Sequence, residues 1–131
     1  MSEEVELSLP AKPELLSLAR LTVAAIASRA DFDYEEIEDL RLAIDELCSH
    51  LVGHQGRPGQ LRLRYQWGDG ALEVSCLLDG GAPGGLSGRA EPDEGELSDR
   101  ILDALVDEHG HDSEDAGHRA WLRKRRRGAT H

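Results

Sequence analysis

The first third of the chain passes from an alternating hydrophobic pattern to a helical one. Val5, Leu7 and Leu9 alternate with polar residues, which predicts a short strand over Glu4–Leu9 with one buried face. Prolines at positions 10 and 13 end that strand, and the apolar residues that follow recur at helical spacing. A helix is therefore predicted from Glu14 to about Ala30, with its apolar positions at Leu15, Leu18, Leu21, Ala25 and Ile26.

A second helix is predicted to begin at Asp33, whose carboxylate can cap the backbone while Glu36 reaches back from three residues later. Gly53 marks its end. Its apolar stripe comprises Ile37, Leu40, Ile44, Leu47 and Leu51. A second stripe, predicted to lie roughly opposite, comprises Asp39, Ala43, Glu46 and His50. This stripe is either a solvated helix face or a set of groups that converge on a metal-phosphate ligand, and spacing alone leaves both open.

The second half of the chain returns to strand periodicity. Apolar residues alternate with polar ones over residues 61–66 and 72–76, and the turn sequence Gly68-Asp69-Gly70 joins these segments in a hairpin. Residues 79–95 are rich in glycine and contain two prolines, which predicts a long loop. Helical spacing then covers Leu97–Glu108, and a last strand is predicted from Gly117 to about Lys124.

The order of these elements predicts an α+β fold. It is a two-layer sandwich in which about three helices cover one face of an antiparallel or mixed sheet. A chain of 131 residues is long enough to bury one core. We therefore predict a single domain over residues 1–127 and a disordered tail over residues 128–131.

Charge is distributed unevenly along the chain. Residues 1–118 contain all 26 acidic residues and nine of the 15 basic ones, a net charge of −17, whereas the last 13 residues carry +6. So acidic a body repels the phosphate backbone of DNA or RNA and attracts basic proteins. The basic residues near the C-terminus are predicted to form a solvated, frayed end.

Other features of the composition limit the choice of compartment and of metal chemistry. No apolar run approaches the ~20 residues of a membrane span, and the N-terminus is acidic, so a cytoplasmic protein without a membrane segment is expected. Cys48 and Cys76 are predicted to be buried free thiols. Two groups of histidines occur, His50 with His54 and His109 with His111, but nothing in the sequence brings them together, so no metal site is predicted.

Asp79-Gly80-Gly81 follows an apolar strand directly. A carboxylate at the exit of a strand can accept hydrogen bonds from a ligand amine, and the glycines beside it allow close approach of the backbone. The same three residues also suit an ordinary turn, so the motif by itself leaves both interpretations open.

Together the motifs resemble the histidine-kinase-like (GHKL) ATPase superfamily, and within it the bacterial anti-sigma factor and serine-protein kinase branch, with actinobacterial members most similar. The segment from Ile37 to Val52 resembles the N box of that family, and Asp79-Gly80-Gly81 resembles its adenine motif. Residues 101–108 resemble the helix after the ATP lid, and residues 117–124 resemble the closing strand.

The resemblance implies roles for particular residues. Glu46 matches the glutamate that serves as general base, Asp79 and Gly81 match the adenine motif, and His50 stands where the family has its Mg²⁺-binding asparagine. Pro83 replaces a further glycine of the adenine motif. The lid segment is represented by Gly95-Glu96-Leu97-Ser98, and His118 stands where a threonine begins the last strand. The resemblance thus implies an ATP or ADP site with a retained adenine end and altered Mg²⁺ and phosphate ends.

The function that the resemblance implies is that of an anti-sigma regulatory factor. Such a protein is a homodimer that sequesters a sigma factor and is controlled by an anti-anti-sigma partner of the STAS type, with weak or lost ATP binding here. The alternative is an active ATP-dependent serine-protein kinase with Glu46 as the base. A third possibility is a scaffold domain that retains the fold alone.

Overall fold

The computed structural model describes residues 3–53, 55–56, 58–79, 92–114 and 117–127; the side chains of 92–96, 112–114 and 117 are outside this description. A short 3₁₀ turn, Pro13–Leu15, precedes the first helix. In chain order the strands and helices are β1 Glu3–Pro10, α1 Leu16–Arg29, α2 Tyr34–Val52, β2 Gln60–Gly68, β3 Ala71–Asp79, α3 Pro92–Leu105, β4 Glu108–Glu114 and β5 Gly117–Arg125. The strands form one antiparallel sheet in the order β1-β2-β3-β5-β4.

The core lies between the sheet and the helices. Alternate residues of β2, β3 and β5 are buried, as the period of two predicted, and Tyr65 of β2 donates a hydrogen bond to the carbonyl oxygen of Ala19 in α1 at 3.1 Å. The other face of the sheet carries charged residues such as Arg62 and Arg64. The predicted α+β sandwich is therefore confirmed, with a sheet that is antiparallel throughout its described strands.

The buried side of α1 differs from the predicted one. Among the predicted apolar positions, Leu21 is 63% exposed and Leu18 is 43% exposed, whereas Ile26 is buried. The residues that pack on the sheet are Leu16, Ala19, Val23, Ile26 and Ala27. Apolar residues occur on several sides of this helix, so their spacing did not determine which side is buried. The close contact with Tyr65 favours the side that carries the small residues Ala19 and Ala27.

The start of α2 follows the sequence closely. The Asp33 side chain accepts a hydrogen bond from the Glu36 amide at 2.8 Å, and the Glu36 side chain accepts one from the Asp33 amide at 2.9 Å, which confirms the capping box. The predicted polar stripe is wrong at Ala43, which is fully buried, while Ile37 is only half-buried. The buried side of α2 is therefore wider than the predicted stripe.

The sequence prediction differs most from the structure in the segment between the predicted loop and the last strand. Helix α3 begins at Pro92, inside the predicted loop, and ends at Leu105, three residues before the predicted end. Proline suits the first turn of a helix because it lacks the amide hydrogen that would be unpaired there. Strand β4 was not predicted at all; it forms because residues 108–114 pair with β5.

The basic residues near the C-terminus are not frayed, contrary to the prediction. Lys124 Nζ donates to the carbonyl oxygen of Leu105 at 2.8 Å, and the Arg127 amide donates to Glu36 at 2.5 Å. These bonds cap the end of α3 and fix the chain against the start of α2. The tail predicted over 128–131 lies outside the described residues, and the domain boundary at 127 stays a prediction. Among the described helices, none has the length and apolarity needed to cross a membrane.

Candidate functional site

The C-terminal half of α2 presents Glu46 and His50 one helical turn apart. Glu46 is half-buried and His50 is exposed, while Leu47 between them belongs to the core. Neither polar side chain forms a hydrogen bond or ion pair with another described residue that would hold it in a structural role. This end of the helix therefore offers a carboxylate and an imidazole to a ligand.

Strand β4 brings two more histidines to the same region. His109 pairs with Leu122 and His111 pairs with Ala120, both of which are buried under the helices. Because residues directly opposite each other in a sheet point to the same face, His109 and His111 point toward the helix layer. The ring centroids of His50 and His111 are 6.1 Å apart.

His109 has a partner on α3. Its Nε2 lies 2.6 Å from Asp103 Oδ1, and its side chain is only 13% exposed. A carboxylate this close fixes the orientation of an imidazole ring and its hydrogen position. His109 is therefore held in place, whereas His50 and His111 face each other across an opening.

We call this opening the histidine pocket. It lies between α2, α3, β4 and β5, and its polar lining comprises His50, Ser98, Asp99, His109 and His111. Its open volume is about 20 Å³, which is room for about one water molecule. The sequence had separated the two histidine groups, and the structure places His50 and His111 together.

The predicted lid residues occupy different positions along α3. Ser98 is buried and lines the histidine pocket. Because α3 starts at Pro92, Gly95 and Ser98 both follow its first three residues, and the amide hydrogens that a helix leaves free at its start belong to residues before them. His118 is half-buried near the start of β5, where it pairs with Leu78 of β3.

Asp79 lies on the opposite face of the sheet from Glu46 and His50. The preceding residue, Leu78, is 4% exposed and packs in the core, so the next side chain along the strand points away from the helices. Asp79 Oδ2 is 3.1 Å from Arg62 Nη2 on that outer face. Gly81 and Pro83, the other residues of the predicted adenine motif, lie outside the described residues.

Two of these positions bear on the fit of Mg²⁺–ATP. Mg²⁺ prefers oxygen ligands, and the residue at the predicted Mg²⁺ position is the imidazole of His50. The carboxylate predicted to bind adenine forms an ion pair on the other face of the sheet. Within the described part of the chain, no group of three or more histidine, cysteine or acidic side chains could hold a metal ion.

Cys48 and Cys76 are fully buried free thiols, as predicted, with their Sγ atoms 3.4 Å apart. The hydrogen bond to Cys48, together with burial, raises the pKa of the Cys76 thiol well above its ordinary value. A protonated thiol is a poor nucleophile and a poor metal ligand. The pair therefore belongs to the core and not to the pocket.

Sequence reasoning missed His111 and Asp103 as neighbours of the site. The alternation of Asp107, His109 and His111 was a signal for a strand, and a strand would have placed both histidines on one face. The same rule applied to β3 would have placed Asp79 outward with Glu73 and away from Leu78. Periodicity therefore contained part of the missing information.

Comparisons with known proteins agree with this fold. The family model described as "Histidine kinase-like ATPase domain" matches residues 9–124. The serine-protein kinase RsbW of Bacillus pumilus is 37% identical over 83 residues, which are 60% of this chain and 51% of that protein. RsbW of Listeria innocua is 41% identical over 83 residues, covering 61% of this chain and 53% of that protein. RsbW of Bacillus subtilis is 36% identical over 82 residues, covering 60% and 51%.

The chain thus spans about half the length of the curated relatives it matches. The family model, in contrast, covers most of this chain, from the end of β1 to the end of β5. ATP with Mg²⁺ is the ligand that an ATPase domain implies in general. This protein belongs to the histidine kinase-like ATPase domain family.

Proposed function

We propose that this protein is an anti-sigma regulatory factor that binds a sigma factor and is released by an anti-anti-sigma partner of the STAS type. Support comes from the family and from relatives named serine-protein kinase RsbW. We also propose that it acts in the cytoplasm, where sigma factors act, and as a homodimer.

The observation that carries this proposal is the charge of the helix layer. Helix α2 contains six acidic residues and one basic residue, and α3 contains five and one. Several of these carboxylates are well exposed, with Glu35 at 74% and Asp45 at 48% of the side chain. An acidic surface attracts a basic partner, speeds their encounter and disfavours wrong partners.

The experiment is capture of partners from a lysate with the full chain, followed by stopped-flow association with the purified partner. We expect a sigma factor or its antagonist, and an association rate that falls steeply between about 50 mM and about 500 mM salt. Recovery of an unrelated partner would contradict the function. An association rate independent of salt would contradict electrostatic steering by the helix layer, but it would not contradict the identity of the partner.

We further propose that nucleotide binding is weak and largely independent of Mg²⁺. Support comes from the imidazole of His50 at the metal position and from the ion pair that Asp79 forms with Arg62. Isothermal titration with ATP and ADP, each with and without Mg²⁺, tests this directly. Micromolar affinity for Mg²⁺–ATP that disappears on addition of EDTA would contradict it.

The alternative function is an active serine-protein kinase, which the names of the relatives and the accessible Glu46 carboxylate favour. A serine hydroxyl is a poor nucleophile until a base removes its proton. If phosphate transfer to a partner is observed, Glu46→Ala should reduce its rate about 10²–10⁴-fold. A scaffold domain without ligand would show neither nucleotide binding nor partner capture.

A further inference from the structure

We propose that His50 and His111 together bind a borderline divalent transition-metal ion of the Zn²⁺ or Ni²⁺ type at the mouth of the histidine pocket. The site is a two-histidine chelate that joins α2 to β4, with the remaining positions of the metal open to water. It does not rest on the anti-sigma role, and it shares His50 with the predicted Mg²⁺ position of the nucleotide site.

The distance between the two rings suits a shared metal ion. Zinc lies about 2.0–2.1 Å from an imidazole nitrogen, so two rings that share one tetrahedral ion have centroids roughly 5 Å apart. The centroids of His50 and His111 are 6.1 Å apart, and the rings are tilted by 43°. Both side chains are exposed, so small rotations about their own bonds can bring the nitrogens to the ion without a change in the core.

The two imidazole side chains select the kind of metal. Imidazole suits Zn²⁺, Ni²⁺ and Cu²⁺, whereas Mg²⁺ prefers oxygen ligands. Neither His50 nor His111 forms a hydrogen bond or ion pair with another described side chain, so a metal would displace no structural bond. His109 differs because its Nε2 already contacts Asp103 at 2.6 Å. The chelating pair is therefore His50 and His111, and His109 is a neighbour.

Acidic side chains surround the two rings. Asp99 lines the same pocket, Asp103 lies behind His109, and Glu46 is one turn before His50 on α2. These carboxylates lower the cost of placing a divalent cation between two neutral imidazoles. The thiols of Cys48 and Cys76 do not compete for the metal, because both are fully buried in the core.

The test is isothermal titration of the full chain with ZnCl₂ and with NiCl₂, with MgCl₂ as the comparison. We expect one saturable site per chain for Zn²⁺ and Ni²⁺ and none for Mg²⁺. His50→Ala and His111→Ala should each weaken binding at least about tenfold, the loss expected when a chelate loses one ligand. His131→Ala is the matched control, since it removes a histidine from the last position of the chain, and it should bind as the parent does.

Two further measurements keep the result unambiguous. Thermal unfolding without metal must be unchanged in the variants, and His50→Gln and His111→Gln replace any variant that fails to fold. Addition of Zn²⁺ should raise the thermal midpoint of the parent and not that of the variants. Absence of a saturable site in the parent, or parental affinity in either variant, would overturn the proposal. So would a site lost in His109→Gln and retained in His50→Ala.

Discussion

At the first turn of α2, Glu36 forms hydrogen bonds with Asp33 and with the amide of Arg127. Near the last turn of the same helix, Glu46 and His50 lie beside an open pocket. Glu36 is 1% exposed, and its two carboxylate oxygens accept from Asp33 and from Arg127. A buried carboxylate persists only when its oxygens are paired. His50, in contrast, is exposed and lies across the pocket from His111.

The difference between the two ends separates stability from ligand binding along one helix. Asp33 and Glu36 at the first turn form structural hydrogen bonds, and the amide of Arg127 donates one of them. Polar groups near the last turn are left for a ligand, and the residues that pack in the core there are Leu47, Cys48, Leu51 and Val52. Substitutions at Asp33 and Glu36 should therefore change folding, and substitutions at Glu46 and His50 should change binding.

The largest expected effect is at Glu36. Glu36→Ala leaves the amides of Asp33 and Arg127 without their acceptor, which should cost about 2–4 kcal/mol of unfolding free energy. Urea unfolding measures this value. Glu35→Ala, one residue away and exposed, is the matched control and should change stability by less than about 0.5 kcal/mol. Equal effects of the two substitutions would contradict the structural role of the buried carboxylate.

The next effect is at the other end of the helix. His50→Asn replaces an imidazole by an amide oxygen at the predicted Mg²⁺ position and should strengthen Mg²⁺-dependent ATP binding at least about tenfold. Isothermal titration with and without Mg²⁺ gives the change, and His109→Asn serves as the control in the same pocket. Unchanged binding in His50→Asn would indicate that the lid segment is the larger defect.

The Cys76 thiol of β3, which contacts Cys48 of α2, should make the stability of the protein depend on alkaline pH. Burial and the bond to Cys48 raise the pKa of Cys76, so the folded protein keeps a proton that the unfolded chain loses above about pH 8.5. Stability is therefore fully present below that pH and falls as pH rises, by about 1 kcal/mol near pH 9.5. Urea unfolding below about pH 8.5 and near pH 9.5 should show this loss of unfolding free energy, and Cys76→Ala should reduce the loss. A loss of equal size in that variant would assign it to other groups.

The smallest effect concerns the exposed carboxylate at the first turn. Glu35→Lys should slow association with a basic partner about two- to threefold and change dissociation less, because exposed charges act mainly on encounter. Stopped-flow measurements at low and high salt provide both rates. Glu36→Lys is unsuitable for this purpose, because Glu36 is buried. Faster dissociation with unchanged association would place Glu35 inside the contact.

The sequence by itself determined the elements that depend on neighbours along the chain. The capping box of Asp33 and Glu36 and the hairpin over residues 60–79 formed as predicted, since hydrogen bonds within a few residues and alternation on one strand suffice to specify them. The burial of Cys48 and Cys76 followed from the same periodicity. The residues that resemble the N box could be picked out in the sequence, because one helix contains them all.

The tertiary structure alone decided which segments meet. Strand β4 exists because β5 pairs with it, and the contact between His50 and His111 depends on that pairing, across 61 positions of the chain. The Arg127 amide reaches Glu36 over an even longer separation. No local pattern encodes such contacts, since each depends on how the whole sheet is ordered.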